Sequence, residues 1–441
     1  MKMKRWNKYS YSMILLFVTS YCGAQNKYQF TRVNDFYSTV IMEASDGGII
    51  EINPDPVFTG SKVLFTSVKI EVAEPVAEPF IIEYLQKDGT LKLITSPIND
   101  VPDRVFSSVF SSALWIFDSP QSSIKINTGA YKGYLKVHLF YAPPLSNSLA
   151  LPKLYKAESK CDKPTMISYT VWRTGLPDPK PPRLETKVEH LVVHHSAGNN
   201  GDTNYINTVR NIYLLHTQSN GWDDIGYNFL VAPNGVIFNG RDPQNVAADD
   251  NILGAHFCGK NQNTMGVCVM GDFMRVRPAN NAIHSLEYLL AWKLKKERMD
   301  AFGQTVHPKE TGSLLNNVCG HRDGCNTDCP GDSLYALLPM IKAEAARIAD
   351  SCGLILMTKF FSQPKGLVVY PNPSSGSITI SSDFKLNSPV FKIYGLTGNL
   401  IYETYFVSGR SIEIPLPDGL YYYRIEEEGG ILVKGVLSVI H

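Results

Sequence analysis

Short alternating runs of apolar and polar positions dominate both ends of this chain, while the middle adds helical spacing. Between residues 25 and 142 the runs Val63-Leu64-Phe65, Val68 to Val72, Phe80 to Tyr84, Ile124-Lys125-Ile126 and Tyr134 to Leu139 are β-branched or aromatic. Turn residues such as Lys87-Asp88-Gly89 separate them. This pattern predicts an antiparallel, sandwich-like domain. Ala142-Pro143-Pro144 opens a linker over 143–161, and the proline-rich Pro177 to Pro182 leads onward.

From Val188 to His194 a buried-type strand begins a different texture. Asp202 or Thr203 can cap a helix whose apolar face runs Ile206, Val209, Tyr213 and His216. Tyr227 to Ala232 and Val236 to Asn239 flank Asn234-Gly235, a hairpin signal. Met265 to Met270 reads as a further strand. Ile283, Leu286, Leu290 and Leu294 mark one amphipathic helix, and Leu334, Leu337, Leu338, Ile341 and Ala345 mark another. The expectation is an α/β domain over 162–352, a small central mixed sheet flanked by helices. After a linker at 353–366, residues 367–441 return to alternating strands and predict a second all-β module, with a Pro/Gly turn at Tyr370 to Gly376.

Composition bounds what such a chain does. Its 441 residues suggest about three domains. A formal charge of +1 provides no basic field and argues against nucleic-acid binding. No apolar run of about 18 residues is present, so no transmembrane segment is expected. At the start, Lys2, Lys4, Arg5 and Lys8 precede the apolar Met13 to Thr19, and Gly23-Ala24 offers a cleavage site. Residues 1–24 therefore read as a signal peptide, and the protein as exported. Of eight cysteines, Cys22 would leave with it. An odd set remains, so in an oxidising compartment one thiol should do something other than pair.

His194, His321 and Cys329 are the candidate metal ligands. Three nitrogen and sulfur donors leave the fourth tetrahedral position of a zinc ion for water, as a hydrolytic site requires. By spacing alone the signal is weak. A lone strand histidine is more often core or solvated, and Cys325 with Cys329 fits a disulfide equally well.

The surrounding residues are more specific. Gly221-Trp222-Asp223-Asp224-Ile225-Gly226-Tyr227-Asn228-Phe229, Gly240-Arg241-Asp242, Gly254-Ala255-His256, Met265-Gly266-Val267 and the His321 to Gly331 segment occur in this order. Together with Trp172-Arg173 they resemble the peptidoglycan recognition protein family, part of the zinc N-acetylmuramoyl-L-alanine amidase superfamily. The resemblance implies Zn2+ on His194, His321 and Cys329, with Tyr227 at the reacting centre. Thr327 stands where the phage branch has lysine and would assist Tyr227 in stabilising an oxyanion. It implies substrate contacts from His216, Trp222, Arg241, His256, Lys260 and Asn261. The reaction implied is hydrolysis of the amide joining N-acetylmuramic acid to L-alanine in peptidoglycan.

Cys329 would then be the odd thiol, and the other cysteines could form up to three disulfides. Cys319 and Cys325 flank His321, and Cys258 and Cys268 lie near the site by resemblance, so the pairing stays open. The dipeptide Gly259-Lys260 before Asn261 matches neither common specificity pair, and the Lys260 ammonium suggests a preference for diaminopimelate stems. At the C-terminus, Val369-Tyr370-Pro371-Asn372-Pro373, Ile393 to Gly398, Asp418 to Tyr422 and Lys434-Gly435-Val436 resemble the type A sorting domain of bacterial type IX secretion. That resemblance makes the secretion machinery a partner and the cell surface or medium the destination. A non-catalytic peptidoglycan-binding protein on the same fold is the competing reading. Family members that only bind often lack the cysteine ligand, which this chain keeps. An adhesin with a degenerate amidase insert is a more distant third reading.

Overall fold

The computed structural model describes residues 28–44, 48–54, 63–96, 98–100, 110–145, 162–247, 250–306, 313–352, 367–372, 374–395, 399–427 and 430–441. The signal peptide, Cys22, Cys161, most of both linkers, Pro373 and Leu396-Thr397-Gly398 lie outside the described residues. Two compact units emerge: residues up to Pro144 with Arg210–Gly221, and Leu145–Val209 with Trp222–His441. No described helix is long and apolar enough to cross a membrane.

In the first unit, two antiparallel sheets share one core, which includes Val40, Ile52, Phe65, Ile70, Phe80, Ile82, Ile126 and Val137. Tyr37–Ala44, Gly133–Phe140 and Phe65–Val72 form the middle of one sheet. Ile124–Asn127 and Phe80–Leu85 form the middle of the other. The alternation of the sequence reappears as burial: Ile124 and Ile126 face the core while Lys125 between them is exposed.

The α/β region has a six-stranded mixed sheet in the order Met166–Ile167, Ile237–Asn239, Phe229–Val231, Thr264–Val269, His190–His195, Val318–Gly320. All neighbours run parallel except Phe229–Val231 with Ile237–Asn239, the hairpin turned at Gly235 with φ +88°. Helices Asn280–Glu297 and Asp332–Ser351 cover one face. Leu191 and Val193 join their core, and Val192 joins a separate cluster with Phe257 and Cys319. Strand residues alternate between faces, so His194 shares the side of Val192. The chemistry is therefore carried on the face away from the two long helices.

One local expectation needs correction. Helix Tyr205–Leu214 is capped by Asn204, whose side-chain oxygen accepts from the Asn207 N–H at 3.2 Å. Asp202 instead accepts from the Thr208 hydroxyl, so neither Asp202 nor Thr203 is the cap. The helix continues as a π turn over Leu215–Ser219 that contains His216.

The last module consists of two antiparallel sheets around Leu367, Ile380, Phe391, Ile393, Ile425 and Leu437. Its strands include Ser377–Ser382, Val390–Tyr394, Gly419–Glu427 and Gly430–Val439.

Candidate metal centre

Adjacent parallel strands and the loop that follows them bring the three expected ligands together. His194 is next to last on its strand, and His321 immediately follows the neighbouring strand Val318–Gly320. Cys329 returns at the far end of the same loop. One ligand atom from each of His194, His321 and Cys329 lies within 4.8 Å of the others. His194 Nδ1 is 3.7 Å from Cys329 Sγ, and the His194 and His321 ring centroids are 4.4 Å apart.

Burial shapes the electrostatics. It pushes His194 well below the usual imidazole range, with further repulsion from His321 and His256. It brings His321 down to about 3, with His195 repelling any added charge. Both rings are therefore neutral at pH 7, the form in which a nitrogen lone pair can bind a metal. The His195 backbone N–H points at Cys329 Sγ from 3.4 Å, a contact that favours a thiolate.

The ligand loop is held from within. Arg322 N donates to Cys329 O at 3.0 Å, and Cys329 N donates to the Thr327 hydroxyl at 3.2 Å. The Arg322 guanidinium stacks 4.8 Å from the Tyr335 ring centroid, pairs with Asp332 at 2.7 Å and donates to the Asp328 carbonyl. Arg322 was not foreseen from the sequence; its only signal was its place beside His321.

A second loop clamps the first. Cys258 and Cys325 form a disulfide, while Cys268, Cys319 and Cys329 are thiols. Cys352 is also disulfide-bonded. This settles the pairing that the sequence left open: Cys325 bonds neither Cys319 nor Cys329. The three-disulfide maximum is not reached, because Cys268 and Cys319 are buried in the sheet as thiols. Lys260 Nζ donates to Gly324 O at 3.2 Å across the same gap. A Cβ on Gly324 would come within 2.3 Å of the Phe257 ring, so this closeness requires glycine.

The remaining expected residues divide by exposure. Tyr227 is half-buried, its ring centroid 5.3 Å from that of His194, and it hydrogen-bonds the Cys268 thiol. Thr327, Trp222 and Lys260 are also half-buried. Arg241 is buried and bound to the Asp223 carboxylate at 2.8 and 3.0 Å, and Arg183 joins the same carboxylate. Asn261 Oδ1 accepts from the backbone N–H groups of His256 and Phe257 at 2.7 and 2.9 Å. His256 is buried, with Nδ1 3.0 Å from His194 Nε2. His216 is buried in the π turn, in the unit that holds the sandwich. Thus Arg241, His256 and Asn261, expected to touch substrate, have polar atoms committed inside the protein. These short-range ion pairs and turn contacts are invisible in spacing.

Two stretches of the chain match known families. Residues 184–332 match the family model described as N-acetylmuramoyl-L-alanine amidase, and residues 368–438 match that of a secretion system C-terminal sorting domain. The chain is 30% identical over 173 residues to peptidoglycan-recognition protein SC2 of Drosophila simulans, covering 39% of this chain and 83% of that protein. It is 32% identical over 162 residues to peptidoglycan recognition protein 1 of Bos taurus, covering 35% and 73%. Against the human N-acetylmuramoyl-L-alanine amidase it is 29% identical over 163 residues, covering 36% of this chain and 25% of that protein. The chain belongs to the family of peptidoglycan recognition proteins and N-acetylmuramoyl-L-alanine amidases.

Proposed function

We propose that this protein is an exported, zinc-dependent N-acetylmuramoyl-L-alanine amidase that hydrolyses the bond between N-acetylmuramic acid and L-alanine in peptidoglycan. The observation that carries the reading is the convergence of His194, His321 and Cys329 within 4.8 Å. Two neutral imidazoles and one sulfur suit zinc, and three protein ligands are the number a hydrolytic site uses. Tetrahedral donors at ordinary zinc distances lie about 3.5 Å apart, close to the 3.7 Å between His194 Nδ1 and Cys329 Sγ.

Zinc bound there would polarise the scissile carbonyl and activate water. The chain's own groups do the rest. Cys329 supplies the one anionic donor, steadied by the His195 N–H. Tyr227, beside His194, and Thr327, beside Cys329, offer hydroxyl protons to charge developing on the carbonyl oxygen. Trp222 and Lys260 face the substrate in this reading, while Arg241 holds Asp223 beside Trp222 and Asn261 holds the loop that carries Lys260.

The alternative, a protein that binds peptidoglycan without cutting it, has the named recognition proteins in its favour. Incubation with purified sacculi separates the two. The amidase reading expects soluble peptides that chelator abolishes and added zinc restores; binding with no release would overturn it.

The sorting-domain match supports delivery to the cell surface or medium through type IX secretion, after export by a signal peptide at 1–24. Removal of residues 367–441 is expected to leave an active enzyme in the periplasm. Activity outside cells from the shortened chain would show that the module does not carry the address.

A further inference from the structure

Behind His194 lies a short polar chain whose proton directions are fixed by one group that can only accept. The Thr264 hydroxyl is 2.7 Å from the Asn261 carbonyl and 3.3 Å from His256 Nε2. A carbonyl cannot donate, so the Thr264 proton goes to Asn261 O. Thr264 Oγ1 therefore accepts from His256 Nε2–H. That leaves His256 Nδ1 as a lone pair, 3.0 Å from His194 Nε2, and the His194 proton must sit on Nε2. The consequence is a bare Nδ1 on His194, the nitrogen 3.7 Å from Cys329 Sγ. Reversing the chain would set two lone pairs against each other between His256 and Thr264, in a place where all three side chains are buried.

The backbone is shaped for this ring. A Cβ on Gly254 would lie 2.4 Å from His256 Cδ2, and one on Gly266 would lie 2.5 Å from both Cγ and Cδ2. The two glycines thus make a slot that only a bare backbone allows. Asn261 completes it by gripping the His256 N–H at 2.7 Å while its carbonyl anchors Thr264.

We propose that His256 and Thr264 are positioning residues that lock His194 in the tautomer able to donate Nδ1 to the metal. Both side chains are buried and act through His194. The proposal rests on the zinc reading above and adds a cause to it, because metal-bound histidines depend on the partner of their other nitrogen for orientation and basicity.

The test uses the full chain as wild type, Thr264→Val, Thr264→Ser, His256→Ala and His256→Asn, with zinc affinity measured by chelator competition. Thr264→Val and His256→Ala are expected to weaken zinc binding about 10- to 100-fold. Thr264→Ser, which keeps the hydroxyl, and His256→Asn, whose amide oxygen replaces Nδ1, should recover most of it. Nitrogen NMR of the metal-free proteins reads the tautomer directly: wild-type His194 should carry its proton on Nε2, and Thr264→Val should give a mixture. Equal zinc affinity in all five proteins, or a His194 proton on Nδ1 in the wild type, would overturn the proposal. Absence of zinc binding by the wild type, with the Nε2 proton in place, would instead overturn the zinc reading.

Discussion

Two buried histidines, one in the sandwich and one in the α/β domain, face opposite situations. His138 has a carboxylate: its Nε2 is 3.1 Å from Glu71, and its Nδ1 meets the Tyr37 hydroxyl at 2.8 Å and Ser219 Oγ at 3.1 Å. Burial alone would raise Glu71, but the hydrogen bond and charge of His138 outweigh it and bring the carboxyl down to about 2. His194 has no carboxylate among its ring partners described above. Its neighbours are His256, His321 and a thiol, and burial with those rings drives it well below the usual range. Burial lowers His138 too, but there Glu71 opposes it through a hydrogen bond and its charge, so that imidazole already has its partner within the sandwich. Imidazoles gathered with a thiol hold lone pairs that a cation would satisfy.

The largest effect expected from this contrast is that of Cys329→Ser. Serine keeps the size but deprotonates far less readily and binds zinc poorly. Zinc and peptide release should both be lost, with the fold and peptidoglycan binding retained, as checked by metal analysis, circular dichroism and a sacculus assay. Full zinc occupancy in this variant would erase the distinction between the two histidine environments.

A smaller loss is expected from Cys258→Ser with Cys325→Ser. The bridge joins the His256 loop to the ligand loop across 67 residues of sequence. Its removal should lower stability by about 2–4 kcal/mol and weaken zinc binding without abolishing it. Denaturant unfolding and chelator competition on one preparation read both quantities.

Glu71→Gln should give the smallest change, confined to the sandwich. A carboxyl held low when folded contributes stability above its unfolded value of 4.5, and that contribution disappears as pH falls through about 2. The variant should be less stable at pH 7 by about 1–2 kcal/mol, with a shallower acid limb and unchanged zinc content. Loss of zinc here would mean that the two histidine environments are coupled.

Much of this was legible in the sequence, for identifiable reasons. Leu191, Val193, Leu286, Leu290, Leu338 and Ile341 keep strict strand or helix periods because one side of each element is buried. The motif order around Trp222, Tyr227, His256 and His321 carried the resemblance. What spacing could not carry was the direction of side chains in loops. Arg241 and Asn261 are substrate contacts by resemblance alone, and their ties to Asp223 and to the His256 backbone are not written in the spacing. For His256 the sequence leaves groove and packing equally open, and the glycine slot beneath its ring is visible only in the structure. The Cys258–Cys325 bridge could not be chosen, since it depends on two loops meeting from far apart in the chain.

If His194, His321 and Cys329 hold the zinc of an amidase, mass analysis of the fragments released from sacculi will identify the bond that is cut. The expected products are stem peptides that begin with a free L-alanine amino group, together with glycan strands whose muramic acid carries a free lactyl carboxylate. Tight binding to sacculi with no new alanine amino termini, at full zinc occupancy, would contradict it.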